Sequence, residues 1–406
     1  MWYAICGYVM KYFWSRFKFL KFKDFLSIFV LILVFLPAMV TKIFVRDLWL
    51  ICEDKNEARD NGYWLFKYIR EKYPKQKCYY AINKKCVDYN KVKGIGKIIS
   101  FGSLSHWFWY LVADKNISSQ KNGKPSPALC YLLEVTFGFR KKNRYFLQHG
   151  ITINDVEFLH YKNTKMYRFC TSTVDEHNFV CDNFGYKKEQ VVLTGLARFD
   201  NLNNHILDKK LILCMPTWRN WIAREVECEK YEGTKEFTKT NYFISWNEFL
   251  HSENLEKFLQ ENDYTMIFYP HRNMQKYIYN FHINSKRIIV ANAKEYDVQD
   301  LLKKSALLIT DYSSVFFDFA YLGKPIIFYQ FDEKKFRQGQ YKEGYFDYKT
   351  SELAYWTDNL DGVVNLLHEH ADKIGTIDTE TPKKYFKYID TNNCERIYQM
   401  IKGKIN

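Results

Sequence analysis

Short apolar runs recur along most of this chain, each followed by a polar turn and then an amphipathic stretch. Runs of about four to eight apolar residues bounded by turn signals are typical of strands buried on both faces of a parallel sheet. One series is predicted at 48–52, 78–82, 97–101, 114–118, 144–147, 167–171 and 190–193. A second follows at 211–216, 265–269, 287–291, 306–310 and 326–329. Helical spacing predicts helices over 56–73, 246–262, 298–304, 358–370 and 383–401, and 219–245 reads as an irregular insertion. Strictly alternating strands and helices give the α/β class with two Rossmann-like halves. Ligands of such folds bind outside the carboxyl ends of the strands, so a cleft between the halves is expected. The expected division is 1–46, 47–205, 206–375 and a terminal helical segment 376–406.

The most informative stretch is 306–332. It reads as strand, turn, helix, strand. Asp311, Ser313 and Ser314 are all good helix N-caps, Gly323 suits a C′ position, and Pro325 blocks continuation. Open backbone N–H groups at such a turn favour a phosphate. The plainer reading is an ordinary capped core helix, and the pattern alone does not separate the two.

Residues 1–46 differ from the rest. Lys11, Arg16, Lys18, Lys21 and Lys23 precede an apolar run at 25–40, which Lys42 and Arg46 follow. The run contains Pro37 and has no small-residue cleavage site, which argues against a secretory signal. Its length of about 24 Å falls short of the ~30 Å hydrocarbon core. An interfacial helix on an anionic membrane is therefore expected, with Trp2, Tyr3, Phe13 and Trp14 among the headgroups; a true span is the competing reading.

Lys+Arg 60 against Asp+Glu 46 gives a formal charge of +14, which calls for an anionic partner. The 10 cysteines include no C-x-x-C pair, which points to reduced thiols in the cytoplasm rather than a zinc site or disulfide framework. No Walker loop, G-x-G-x-x-G fingerprint, D-x-D clamp or G-x-S-x-G elbow occurs. Glu225, Glu227 and Glu229 could chelate a cation but read more simply as a solvated loop. Neither metal nor cofactor is expected.

Two histidines stand at predicted strand ends, one in each half. His149 lies in Leu-Gln-His-Gly (147–150), and His271 in Tyr-Pro-His-Arg (269–272). An imidazole at such a place can accept a proton near neutral pH, although either alone is more simply a turn histidine. Arg198 and Arg219 follow strands too and could fork onto phosphate oxygens; surface salt bridges would explain them equally well.

Together these turns resemble the CDP-glycerol glycerophosphotransferase family, the teichoic-acid and capsule primases and polymerases. The matching stretches are 50–63, Leu-Gln-His-Gly (147–150), Thr-Gly-Leu-Ala-Arg-Phe-Asp (194–200), Pro-Thr-Trp-Arg (216–219), Tyr-Pro-His (269–271) and Leu-Ile-Thr-Asp-Tyr-Ser-Ser-Val-Phe-Phe-Asp-Phe (308–319). The resemblance implies a GT-B-like fold and transfer of an alditol phosphate from CDP-glycerol or CDP-ribitol to a hydroxyl of a lipid-linked or polymeric acceptor. CMP would be released at the cytoplasmic face of the membrane. It implies His149 as general base and His271 as stabiliser of the donor diphosphate, with Thr310, Asp311, Ser313 and Ser314 around the nucleotide and phosphates. The motifs also bring Gly150, Arg198, Thr217, Arg219, Arg272 and Asp318 into the substrate-binding set. The chain departs from the family where many members have Trp-His-Gly against Gln148-His-Gly here, and His-Pro against His271-Arg272. Its length suggests an enzyme without the extra modules of long polymerases. A GT-B glycosyltransferase using a nucleotide sugar is the alternative enzyme. A basic nucleic-acid-binding protein is the alternative of another class, although no nucleic-acid signature is present and no nucleic-acid partner is expected.

Overall fold

The computed structural model describes residues 22–140, 142–202, 207–222 and 236–405. Two compact units form. The first takes the chain up to His149, then Glu157–Asp200 and the stretch from Asn392 on; the second takes Gly150–Val156 and Asn201–Thr391.

The first unit holds seven parallel strands: β1 (Trp49–Cys52), β2 (Cys78–Ile82), β3 (Lys97–Ser100), β4 (Lys115–Ser118), β5 (Arg144–Phe146), β6 (Arg168–Thr171) and β7 (Val191–Leu193). Their order is β3-β2-β1-β4-β5-β6-β7. Every residue of β1 is buried. Trp49 and Ile51 pack with Leu65, Phe66 and Ile69 of the Asn61–Lys72 helix. Leu50 and Cys52 face the other way, against Trp107 and Leu111 of the Leu104–Val112 helix. Helices thus cover both faces, which is why the strands read as unbroken apolar runs.

The second unit repeats the topology with six strands: β8 (Leu211–Met215), β9 (Thr265–Phe268), β10 (Ile288–Val290), β11 (Leu307–Thr310), β12 (Ile326–Tyr329) and β13 (Tyr355–Thr357). The order is β10-β9-β8-β11-β12-β13, again all parallel. In each sheet the order reverses beside the first strand, between β1 and β4 and between β8 and β11. Doubly wound sheets bind ligands outside such switch points. This is the GT-B type of α/β fold, each half a Rossmann-like sheet.

Several elements differ from expectation. The predicted 56–73 helix starts only at Asn61, because Asp60 caps it by accepting from the Asn61 amide at 2.8 Å. The predicted 246–262 helix is two, Asn241–Leu250 and Glu253–Glu261; Ser252 starts the second by accepting from the Leu255 amide. The predicted 383–401 helix is likewise Thr381–Tyr385 and Asn393–Ile401. The latter belongs to the first unit, where Tyr398 lies 5.2 Å from Trp49, ring to ring. Gly323 does end its helix, with φ +68°, and a side chain there would strike the Asp378 carbonyl. The Glu225–Glu229 cluster, the boundary residues 203–206, and the cations and aromatics within 1–21 lie outside the described residues.

The apolar run extends to a helix of 23 residues, Phe22–Phe44, longer than the sequence pattern suggested. Asp24 near its start accepts from Ser126 Oγ at 2.7 Å. Lys42 near its end pairs with Asp114 at 3.3 Å. Between them Val34 and Ala38 pack among Trp107, Leu111 and Val112. About 27 Å of helix is thus tied to the first unit at both ends and in the middle. The opposite side exposes Phe25, Phe29, Ile32, Leu33, Leu36 and Val40.

Candidate functional site

At the carboxyl edge of the first sheet, β5 ends at Phe146 and the chain turns sharply through Gln148, a non-glycine residue at φ +66°. That left-handed conformation costs of order 1–3 kcal/mol and persists only when surroundings enforce it. Here the Asn61 side chain donates to the Gln148 carbonyl at 2.7 Å, and the buried Gln148 amide donates to Glu176 at 3.1 Å. The strained turn carries His149 outward, its side chain 58% exposed.

The His149 Nδ1 lies 2.6 Å from Asp60 Oδ2 and 2.7 Å from the Gln120 amide nitrogen. One ring nitrogen cannot serve both an anion and an N–H donor. Asp60 also receives Arg198 Nη1 at 3.0 Å. Burial alone would raise the Asp60 carboxyl, but His149 and then Arg198 outweigh it and hold it below the ordinary carboxylate range. An ionised Asp60 takes the Nδ1 proton, so the neutral ring keeps its lone pair on Nε2, the atom that can accept a proton. The Gln120 amide then fits with its oxygen, not its nitrogen, toward Nδ1.

Arg198 therefore does not extend a fork to phosphate. Nη1 also donates to the His149 carbonyl at 2.6 Å, and its backbone N–H donates to Asn61 Oδ1. It positions His149 and Asp60. Beside them, at the end of β1, Glu53 is buried and accepts from the Tyr63 amide, the Tyr80 hydroxyl and Ser119 Oγ. Burial, then the charge of Asp60, pushes its carboxyl up to about 7. Sequence reasoning assigned no role to Asp60, Glu53 or Asn61, although all three stand in the quoted stretch 50–63.

In the second unit the switch point is closed by a buried charge network. Arg219 is wholly buried. It grips Asp332 through Nε at 2.8 Å and Nη2 at 2.9 Å, pairs with Asp311 at 2.8 Å, and donates from Nη1 to the Thr217 carbonyl. The rings of Tyr312, Tyr242 and Phe336 surround the guanidinium. Arg219 is thus unavailable to a ligand, contrary to the reading of it as a phosphate fork. Asp311 accepts from the Thr217 and Tyr312 amides, and Thr310 Oγ1 donates to the Met215 carbonyl at 2.7 Å. Asp318 is buried in the first turn of the Val315–Tyr321 helix. Asp311 and Thr310, expected as ligand groups, instead shape the edge from beneath.

What remains at that edge is Thr217, His271, Arg272, Ser313 and Ser314. Thr217 Oγ1 is buried with no hydrogen-bond partner among the described residues. Ser313 and Ser314 are half-buried, and neither makes an N-cap bond of the expected strength: Ser313 Oγ accepts weakly from Val315 at 3.4 Å. Neither backbone amide of this pair has a partner among the described residues. His271 follows β9, its own amide bound to the Pro216 carbonyl and its ring near that of Trp218. Its Nδ1 accepts from the Asn273 amide at 3.2 Å, so the neutral ring carries its proton on Nε2. Arg272 is exposed beside it, and Gly150 follows His149 as the first residue of the second unit.

The two imidazoles are held in opposite tautomers: His149 presents an acceptor and His271 a donor. Among the described residues no cluster of three His, Cys, Asp or Glu side chains could hold a metal ion.

Residues 38–403 match the family model described as CDP-Glycerol:Poly(glycerophosphate) glycerophosphotransferase. The chain belongs to this family. It is 32% identical over 368 residues to the minor teichoic acid biosynthesis protein GgaB of Bacillus subtilis (strain 168), covering 88% of this chain and 40% of that one. It is 29% identical over 238 residues to a teichoic acid glycerol-phosphate transferase of Staphylococcus aureus (strain NCTC 8325 / PS 47), covering 54% of this chain and 56% of that one. The chain thus spans about half or less of these relatives' lengths. A variant of the wall teichoic acid polymerase TagF superposes with a TM-score of 0.64 at 16% identity, over 95% of this chain and 100% of that one. A UDP-GlcNAc 2-epimerase of Methanocaldococcus jannaschii reaches 0.54 at 11% identity over 88% of this chain and 99% of that one. At such identities the likeness is one of fold.

Proposed function

We propose that this protein transfers glycerol phosphate or ribitol phosphate from a CDP-alditol to a hydroxyl of a lipid-linked or polymeric acceptor, releasing CMP, in the synthesis of a teichoic-acid or capsule-type polymer. The observation that carries the reading is the setting of two family-motif histidines, His149 with Nδ1 on Asp60 and His271 with Nδ1 on the Asn273 amide, which assigns them opposite tautomers. His149, oriented by Asp60, accepts the acceptor hydroxyl's proton at Nε2. The hydroxyl oxygen forms a bond to the distal phosphorus of the donor as the bond from that phosphorus to the CMP oxygen breaks. CMP is a good leaving group, so the need is for charge stabilisation rather than strong acid help. His271, through Nε2–H, with Arg272, the Ser313 and Ser314 amides and hydroxyls, and Thr217, suits a diphosphate. Arg219, Asp311 and Thr310 hold those groups in place.

The Phe22–Phe44 helix supports association with a membrane as an in-plane anchor. The helix is long and apolar enough to cross a membrane, with only 11% of its most apolar stretch buried, but its ties to the first unit at Asp24, Val34, Ala38 and Lys42 favour a helix lying in the interface plane. Its exposed apolar stripe suits the headgroup boundary instead. The function is tested by product mass spectrometry on membranes supplied with CDP-glycerol, CDP-ribitol or UDP-sugars. Alditol phosphate on the acceptor with CMP release is expected; turnover of UDP-sugars alone would overturn the reading.

A further inference from the structure

The amino edge of the first sheet, at the far end of the strands from His149, carries a cavity of about 480 Å³. Five cations line it, Arg46, Lys72, Lys75, Lys77 and Lys402, against Asp47 alone. The turn that presents three of them is fixed in shape. Arg70 donates to the carbonyls of Gln76 and Pro74, at 2.8 and 3.0 Å, and the Gln76 side chain donates to the Asp47 carbonyl at 2.7 Å. Tyr73 and Tyr398 stack at 3.9 Å to form an aromatic wall. With its carbonyls committed inward, the turn leaves Lys72, Lys75 and Lys77 exposed.

Like charges gather at a cost unless a counter-charge joins them. Lys402 pairs with Asp47 at 2.6 Å, and Lys72 feels the nearby Glu395 carboxylate, which leaves Arg46, Lys75 and Lys77 in surplus. Their place in the fold indicates what joins them. Arg46 stands two residues beyond the Phe22–Phe44 helix, whose last turn exposes Ile43 and Phe44. An apolar stripe that ends at a cationic cavity matches the step from hydrocarbon to phosphate in a bilayer leaflet.

We propose that this cavity binds the phosphodiester of an anionic phospholipid headgroup, fixing the first unit against the membrane at a site remote from His149. The proposal rests on the membrane association argued above and is independent of the transfer reaction. A soluble phosphodiester shares the chemistry, and the test separates the two sources.

The full chain is sedimented with phosphatidylcholine vesicles with or without phosphatidylglycerol, with no donor present. The variant K72Q/K75Q/K77Q is compared with K84Q/K85Q/K93Q, which removes three exposed lysines elsewhere on the same unit. The cavity variant is expected to lose at least about tenfold in partitioning onto phosphatidylglycerol vesicles, on the scale of the usual contribution per lysine near a charged surface. The control should retain wild-type partitioning, and glycerophosphoglycerol in solution should not compete. Equal losses in both variants would mean diffuse charge attraction and overturn the site. Competition by glycerophosphoglycerol, with vesicle binding unchanged by the cavity substitutions, would assign the site to a soluble ligand and overturn the lipid assignment. If the wild-type chain ignores vesicles and Phe29→Asp/Leu33→Asp changes nothing, the membrane association itself fails. That outcome is distinct from loss of the cavity alone.

Discussion

Replacing Asp60 by asparagine probes the orientation of the proposed base with little change of shape. The contact to His149 Nδ1 is 2.6 Å, and Asp60 also receives Arg198 and caps the Asn61–Lys72 helix. Asparagine keeps the size and can keep the cap, but it removes the charge and can offer its own N–H to Nδ1. The ring would then hold its proton on Nε2, the wrong nitrogen for a base. A hydrogen bond to a charged group contributes about 1.5–3 kcal/mol, and each 1.36 kcal/mol is tenfold in rate. D60N should therefore lower kcat by roughly 10- to 150-fold. CMP release from CDP-glycerol in the presence of acceptor is the assay, with donor affinity measured separately by calorimetry and expected to hold. Residues acting as one unit are not additive, so D60N combined with H149A should be no slower than H149A alone. Near-normal turnover of D60N, or losses that multiply in the double variant, would refute the pairing.

Three further outcomes follow from the geometry. Arg219→Met leaves two carboxylates buried without their cation and should destabilise the second unit by about 3–5 kcal/mol in denaturant unfolding; a loss below about 1 kcal/mol would mean that the network is not the seal described. Glu53, pushed up to about 7 chiefly by burial, keeps a proton in the folded chain that the unfolded chain loses near pH 4. Stability should therefore fall by up to about 3 kcal/mol as pH rises from about 4 to 7 and level off above; Glu53→Gln should flatten that slope, and an unchanged slope would exclude Glu53 as its source. Gln148→Val should cost about 1–3 kcal/mol and misdirect His149, whereas Gln148→Gly relieves the left-handed strain. Thermal unfolding paired with turnover separates these outcomes, and equal behaviour of the two variants would remove strain from the account.

The strands were legible because both sheets are buried on both faces, so apolar runs such as Leu-Leu-Ile-Thr at β11 stand out without any knowledge of neighbours. Helix ends were less so. Ser252 splits one predicted helix and Asp60 delays another, and a cap takes effect only once the surrounding chain fixes its direction. The histidines were legible from their places after strands. Their tautomers were not, since each depends on a partner remote in sequence or on local backbone geometry: Asp60 is 89 residues from His149. The arginines misled for the same reason. Arg219 and Arg198 look like phosphate forks until Asp332, Asp311 and Asp60 are brought to them by the fold. The apolar helix was underestimated because Lys23 and Lys42 read as flanking charges, yet both lie within it, and Lys42 anchors it to the first unit.

His149 as the base is the centre of the proposed transfer. His149→Ala in the full chain, assayed for CMP release with acceptor membranes, should lose about 10²–10⁴ in turnover while CDP-glycerol still binds with wild-type affinity. Turnover near the wild-type rate in that variant would contradict it.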